Sequence, residues 1–290
     1  MEERGAITPQ KSLQLGHDHG KAVSSVYGPV FSWRYGESLG ADLLLHQSTC
    51  SFHCVYCQLG EIRLETLKRD IYVPTRQFMR DLRASDWQRA DVITFAGSGE
   101  PTLAANLGEA IREAKAETAK EVVVLTNASM LSDPEVRDEL IAADHVSCKL
   151  DGPTEELFAR INRPLGELSL DSLVAGIRLL REEFDGCLSV QTMVLPNNDH
   201  EAARFVELLQ RIGPDEVHLN LPSRPRPQEW SVEARGAHRA FAGERAFKLV
   251  SRDEVQRLAA DIHVKTRIRV LTPPQTTVTE VPPPHSTIRG

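Results

Sequence analysis

Cys50-Ser51-Phe52-His53-Cys54-Val55-Tyr56-Cys57 places three thiols in one loop at the spacing C-x3-C-x2-C. The other two of the five cysteines lie far off, at Cys148 and Cys187, so the triplet is no by-product of cysteine richness. Three thiolates make an incomplete metal site. A structural zinc or a closed ferredoxin site needs a fourth protein ligand nearby, whereas three thiolates can hold three irons of a four-iron cluster and leave the fourth open to an outside ligand. His46 and His53 keep a non-enzymatic zinc or iron–sulfur scaffold open as the alternative, although His53, adjacent to Cys54, is read as pointing away from the metal.

Working outward, residues 41–46 form a short apolar run that ends at the cysteine loop, so the loop is expected at the C-terminal end of a first strand. Residues 62–73 alternate apolar and charged residues as a ribbon would, and a helix is predicted from Thr75 with Phe78, Met79 and Leu82 on one side. Strands follow at 91–96, 121–125, 146–150, 188–195 and 216–221. Helices separate them at 107–118, 132–143, 154–161, 169–184 and 200–212, the second opened by Ser132 and Glu135 at capping-box spacing. Strands separated by helices pair in parallel through right-handed crossovers. A six-unit partial barrel and an open doubly wound sheet both satisfy this pattern, and in both, ligands gather at the C-terminal strand ends.

Domain organisation is expected as a flexible arm over 1–26 carrying His17 and His19, a core over 27–224, and an extension over 225–290 with a helix from Ser251, a last strand over 265–271 and a proline-rich tail. The segment 27–40, with Gly28, Gly36, Gly40 and four aromatics, predicts an ordered stretch packed near the cysteine loop. Cys148 and Cys187 read as small buried hydrophobes. The 290 residues carry a net charge of −7, which gives no global sign of nucleic-acid binding. No signal-peptide pattern and no apolar run near the ~20 residues needed to cross a bilayer is visible, so a cytoplasmic protein without membrane contact is expected.

A second motif, Gly97-Ser98-Gly99-Glu100-Pro101-Thr102-Leu103, follows the second strand. Together with the cysteine triplet it resembles the radical S-adenosylmethionine (SAM) superfamily. The pieces Tyr27-Gly28-Pro29-Val30, Ser38-Leu39-Gly40 and Cys54-Val55-Tyr56-Cys57-Gln58-Leu59-Gly60 resemble the branch that includes wyosine-type tRNA-modifying enzymes and unassigned relatives. The resemblance implies an α/β fold with a partial (β/α)6 barrel, a [4Fe-4S] cluster on Cys50, Cys54 and Cys57, and SAM on the open iron. It further implies a reducing partner such as flavodoxin or ferredoxin, and a 5′-deoxyadenosyl radical that abstracts hydrogen from a substrate. Tyr56, Gly97, Gly99, Glu100, Asn127, Lys149 and Gln191 are the residues expected to contact SAM.

Strand parity adds candidates. Ser147, Lys149 and Asp151 share one face, as do Gln191 with Met193 and His218 with Asn220. His218 is the candidate acid/base, with Lys149 and Asp151 as further catalytic candidates; a structural histidine and an internal Lys149–Asp151 ion pair are the alternatives. The substrate stays open among a small molecule, a peptide or protein, and RNA. No cysteine precedes Cys50, which departs from the extra cluster of wyosine-type enzymes, while Arg224, Arg226, Arg239, Arg245, Arg267 and Arg269 offer a C-terminal phosphate-facing patch.

Overall fold

The computed structural model describes residues 23–222, 226–227, 229–235 and 248–274. The arm over 1–22 with its two histidines, the tail beyond 274, and Arg224, Arg239 and Arg245 lie outside the described residues.

Strands β1 (Val26–Ser32), β2 (Gly36–Ala41), β5 (Val92–Phe95), β6 (Glu121–Thr126), β7 (His145–Lys149), β8 (Cys187–Met193), β9 (Glu216–Asn220) and β10 (Arg269–Leu271) form one sheet in that order. The short β3 (Thr49–Cys50) and β4 (Leu64–Glu65) pair separately. Every pairing in the large sheet is parallel except β1 with β2, and the sheet curls into a partial barrel. A parallel sheet covered on both faces needs continuous apolar strands. Accordingly Val92, Ile93, Thr94 and Phe95 of β5 are all buried.

The crossover helices are α1 (Thr75–Arg83), α2 (Leu107–Thr118), α3 (Pro134–Leu140), α4 (Glu155–Ile161), α5 (Leu170–Glu183), α6 (Ala202–Ile212) and α7 (Arg252–Thr266). Each of α2, α5 and α6 turns an apolar stripe inward, with Ile111, Ile177 and Leu209 among the buried residues. Ser169 with Ser172 and Ser251 with Glu254 form reciprocal N-terminal caps.

Several boundaries differ from the expectation for local physical reasons. The first parallel strand is β2, ending at Ala41. Past it, Asp42 Oδ1 accepts the backbone N–H groups of Leu44 (3.0 Å) and Leu45 (3.1 Å) and turns the chain, so the apolar run 43–45 is buried turn. Helix α3 is capped by Asp133, whose Oδ1 accepts the Glu135 N–H at 2.9 Å, and not by Ser132. The ribbon over 62–73 shrinks to β4, and α7 runs to Thr266, leaving only Arg269–Leu271 as strand. The segment 27–40 is ordered, with Tyr27 and Gly40 at the end that leads into the cysteine loop but its middle at the other end from the position expected. Antiparallel pairing of β1 with β2 puts the hairpin tip, Trp33-Arg34-Tyr35, at the N-terminal end of β2, opposite the cysteine loop.

The extension adds to the same sheet: β10 pairs with β9 and α7 packs on α6. Between them, Arg226 Nη2 reaches His53 Nε2 (2.9 Å) and the Gly60 carbonyl (3.1 Å), Ala234 packs with Leu59 and Ile62, and Arg235 forms a buried ion pair with Asp42 at 2.9 Å. This stretch lies across the cysteine loop.

Candidate cofactor site

The cysteine loop is fixed by backbone pairing with the end of α4. His53 N–H donates to the Asn162 carbonyl (3.1 Å) and Val55 N–H to the Ile161 carbonyl (2.9 Å), while the Phe52 ring stacks edge-on against Phe158 at 5.5 Å. These contacts turn the three sulfurs toward the C-terminal strand ends. Each sulfur accepts an N–H. Cys50 Sγ takes the Phe52 backbone N–H (3.4 Å) and Asn127 Nδ2 (3.6 Å), Cys54 Sγ takes Asn162 Nδ2 (3.5 Å), and Cys57 is bonded by the Leu59 backbone N–H.

Burial pushes all three thiols up, Cys54 to about 12, and the mutual repulsion of Cys50, Cys54 and Cys57, with Glu100 beside Cys50 and Asp151 beside Cys54, adds to the rise at Cys50 and Cys54. Three thiolates packed together, Cys54 buried and Cys50 and Cys57 half-buried, therefore need a strong local cation, and the N–H donors on sulfur suit a cluster whose potential such bonds tune. The donor set fits an iron–sulfur cluster. Neither histidine read as a fourth zinc ligand joins the sulfurs: His46 is exposed, and His53 is engaged by Glu65 (3.0 Å) and Arg226.

The loop Gly97–Leu103 is zipped onto the residue before Cys50. Thr49 N–H donates to the Ser98 carbonyl (2.8 Å) and Glu100 N–H to the Thr49 carbonyl (3.0 Å). Gly99, at φ +152, leaves no room for a side chain, since a Cβ would stand 1.6 Å from the Thr49 carbonyl oxygen. At Gly97, φ +145, a Cβ would meet Asp42 Cγ at 2.5 Å. Gly99 thus lets the two motifs pack directly and Gly97 lets the loop close on the Asp42 turn, constraints separate from any ligand contact. The Glu100 carboxylate is taken up inside the protein, accepting from Thr102 N–H (3.1 Å), Thr102 Oγ1 (2.7 Å), Thr126 Oγ1 (2.6 Å) and Asn127 N–H (2.6 Å). Burial raises its pKa and those bonds pull the other way.

Lys149 and Asp151 do not pair with each other. Asp151 accepts from the Tyr56 hydroxyl, from Asn162 Nδ2 (2.7 Å) and from Met193 N–H (2.7 Å), while the Lys149 ammonium lies over the Tyr56 ring at 5.2 Å. Tyr56, Asn127, Lys149 and Asp151 thus gather around the cysteines, and Gln191 stands beside Lys149 in register. His218 follows Gln191 in the same row but turns to the hairpin tip, its ring 6.2 Å from those of Trp33 and Tyr35. Sequence reasoning missed Asn162, which supports Cys54, and Asp42, which joins Ser98 Oγ (2.7 Å) to Arg235. No motif marks Asn162, whereas Asp42 directly after a strand carried an Asx-turn signal.

Of the arginines read as a patch, Arg226 turns inward to His53, Arg269 pairs with Glu216 at 2.7 Å, and Arg267 ends α7 in the left-handed conformation. No helix among the described residues is long and apolar enough to cross a membrane.

The Radical SAM superfamily sequence model matches residues 44–209, which hold both motifs. The UPF0026 protein slr1464 of Synechocystis sp. is 48% identical over 244 residues, 82% of this chain and 92% of that protein. Among solved structures, Streptococcus suis SuiB bound to S-adenosylmethionine superposes with TM-score 0.56 at 14% identity, over 78% of this chain and 48% of SuiB. A radical SAM methyltransferase from Sphaerobacter thermophilus gives TM-score 0.56 at 16% identity, over 81% of this chain and 65% of that one. These likenesses show the fold, and the sequence match shows the family. A curled parallel-dominated sheet, three clustered thiols at the C-terminal ends of its strands and a glycine loop locked beside them agree with the match: the chain belongs to the radical SAM superfamily and is an enzyme of that class.

Proposed function

We propose that Cys50, Cys54 and Cys57 hold a [4Fe-4S] cluster and that the adjoining strand ends hold SAM, with a flavodoxin- or ferredoxin-like protein as reductant. When bound, the pair supplies a one-electron cleavage of the SAM C5′–S bond, giving methionine and a 5′-deoxyadenosyl radical that takes a hydrogen atom from substrate. The single observation behind this reading is that all three sulfurs, each N–H-bonded, face the strand ends where Gly99 locks the second motif against Thr49.

The remaining roles belong to the chain's own groups. Tyr56 and Lys149 form one wall of the SAM site and Asn127 offers polar atoms along its rim, while Gln191, expected there, has its Oε1 taken by Arg34 from the hairpin side. Asp151 is a positioning residue, fixing Tyr56 and the Asn162 that supports Cys54. Glu100 is another, orienting Asn127 through its backbone N–H. Gly97 and Gly99 set the distance between the two loops. Anaerobic reconstitution tests the proposal: about four irons and four sulfides per chain, with reductant-dependent 5′-deoxyadenosine from SAM, are expected. A colourless protein holding one zinc per chain would sink it.

A further inference from the structure

The floor of the barrel carries a second, separate set of chemical groups. The hairpin tip pushes Trp33, Arg34 and Tyr35 against the inward residues of β7, β8 and β9. Tyr35 meets the His145 ring edge-on at 5.2 Å, and His218 lies 5.9 Å from His145. The Arg34 guanidinium sits 5.2 Å from the Tyr35 ring and 5.7 Å from the Trp33 ring, and its Nη1 donates to Gln191 Oε1. Tyr35 faces Ser147 and Ser189, and His145 Nε2 bonds Ser189 Oγ at 2.8 Å.

Two polar atoms here are closed to solvent and have no partner, Arg34 Nε and His218 Nδ1, and beside them the Tyr35 and Ser147 hydroxyls bond each other. Buried polar groups are almost always bonded, so two orphans of opposite sense within one cluster mark a place where something else bonds. The sense of each atom is defined. Arg34 Nε can only donate, and its guanidinium has no carboxylate partner among the described residues. His218 Nε2 faces Glu216 Oε2 at 3.0 Å, so it carries the proton and Nδ1 presents a bare lone pair. Burial holds that imidazole down at about 4, hence neutral near pH 7. The two hydroxyls can serve either way. Glu216 faces the cluster with its Oε1 engaged by Arg269 at 2.7 Å, and Asp215, paired with Arg181 at 2.7 Å, also acts on His145.

We infer that the barrel floor binds a carboxylate or phosphoryl group of a small substrate, with Arg34 Nε donating to its oxygen and His218 Nδ1 accepting from a neighbouring hydroxyl or N–H. The inference deepens the radical SAM reading and rests on it for the word substrate, but the binding site stands on its own geometry. Lys149, Gln191 and His218 form one cross-strand row, so a molecule anchored at Arg34 extends toward Tyr56 and the cysteines. The closure of the orphaned atoms to solvent calls for a compact anionic group. His218 becomes a binding residue for the substrate in this arrangement.

Calorimetric titration of the reconstituted protein, without reductant, against inorganic phosphate and against acetate tests the site. Saturable binding of at least one of them at one per chain is expected, weakened tenfold or more by Arg34→Gln and severalfold by Ser147→Ala; which of the two binds tells phosphoryl from carboxylate. No saturable binding of either, or binding that is unchanged by Arg34→Gln, would overturn the inference. Should Arg34→Gln not fold, Ser147→Ala decides: wild-type affinity in that variant overturns it as well. Because cluster content and SAM cleavage are not read here, a failure leaves the radical SAM reading untouched, and a colourless zinc protein that still binds the anion would reject only that reading.

Discussion

The two ends of this barrel solve opposite problems with similar residues. At the C-terminal ends of the strands, the buried acids near the cysteines are tied to their neighbours, Asp151 to Tyr56, Asn162 and Met193, and Glu100 to Thr102, Thr126 and Asn127, and of the supporting amide Asn162 only Oδ1 stays unbonded. The sulfurs are the groups left with chemistry to perform. At the floor, the protein leaves a guanidinium nitrogen of Arg34 and a ring nitrogen of His218 unbonded. A site built for a permanent metal group is rigidly scaffolded by satisfied side chains, whereas a site for a transient molecule keeps its hydrogen-bonding capacity open.

Breaking the scaffold should therefore cost cofactor, and the largest effect belongs to the sulfurs themselves. Cys57→Ala is expected to take 5′-deoxyadenosine formation below detection and to lower bound iron, read by chromatography and iron assay. Gly99→Ala comes next, since its Cβ would enter the space of the Thr49 carbonyl one residue from Cys50. A destabilisation above about 2 kcal/mol and poor cluster incorporation are expected by denaturant unfolding and visible absorbance. Asp151→Ala leaves the Tyr56, Asn162 and Met193 donors without their acceptor, at a cost of about 3 kcal/mol with partial loss of iron.

Much of the scaffolded end was legible in the sequence. The cysteine spacing and the Gly97–Leu103 motif are local, and parallel strands announce themselves by apolar runs such as 92–95. Even there the expectation misplaced the first strand, because Leu43, Leu44 and Leu45 are apolar enough for a strand but are turned by the side chain of Asp42. The floor was less legible. Its members come from the hairpin, β7, β8 and β9, and only the antiparallel register of β1 brings Arg34 under His218. Strand parity identified His218 as inward-facing, yet parity says nothing of which end a side chain leans toward. The Asn162 support of Cys54 was invisible for the same reason: it spans 108 residues.

The floor predicts a smaller effect that depends on pH. His218 is held at about 4 in the folded protein against 6.5 for the free group, so the unfolded chain binds its proton more readily. The stability contributed by keeping it neutral is present above about 6.5 and is lost as pH falls through that window toward 4, up to about 3 kcal/mol. His218→Gln should remove that slope, measured as the difference in unfolding free energy between pH 7 and pH 5 relative to wild type. Smallest of all, Arg226→Gln removes half-exposed bonds to His53 and Gly60 and is expected to change stability by less than about 1 kcal/mol, with cluster content retained.

The most direct test of the cofactor assignment is electron paramagnetic resonance of the reconstituted, reduced protein with and without SAM. Direct ligation of the open iron predicts a signal of a reduced four-iron cluster whose g-values shift when SAM is added, and which is lost in Cys57→Ala. A cluster signal that SAM leaves unchanged, or one that survives Cys57→Ala intact, would contradict the account.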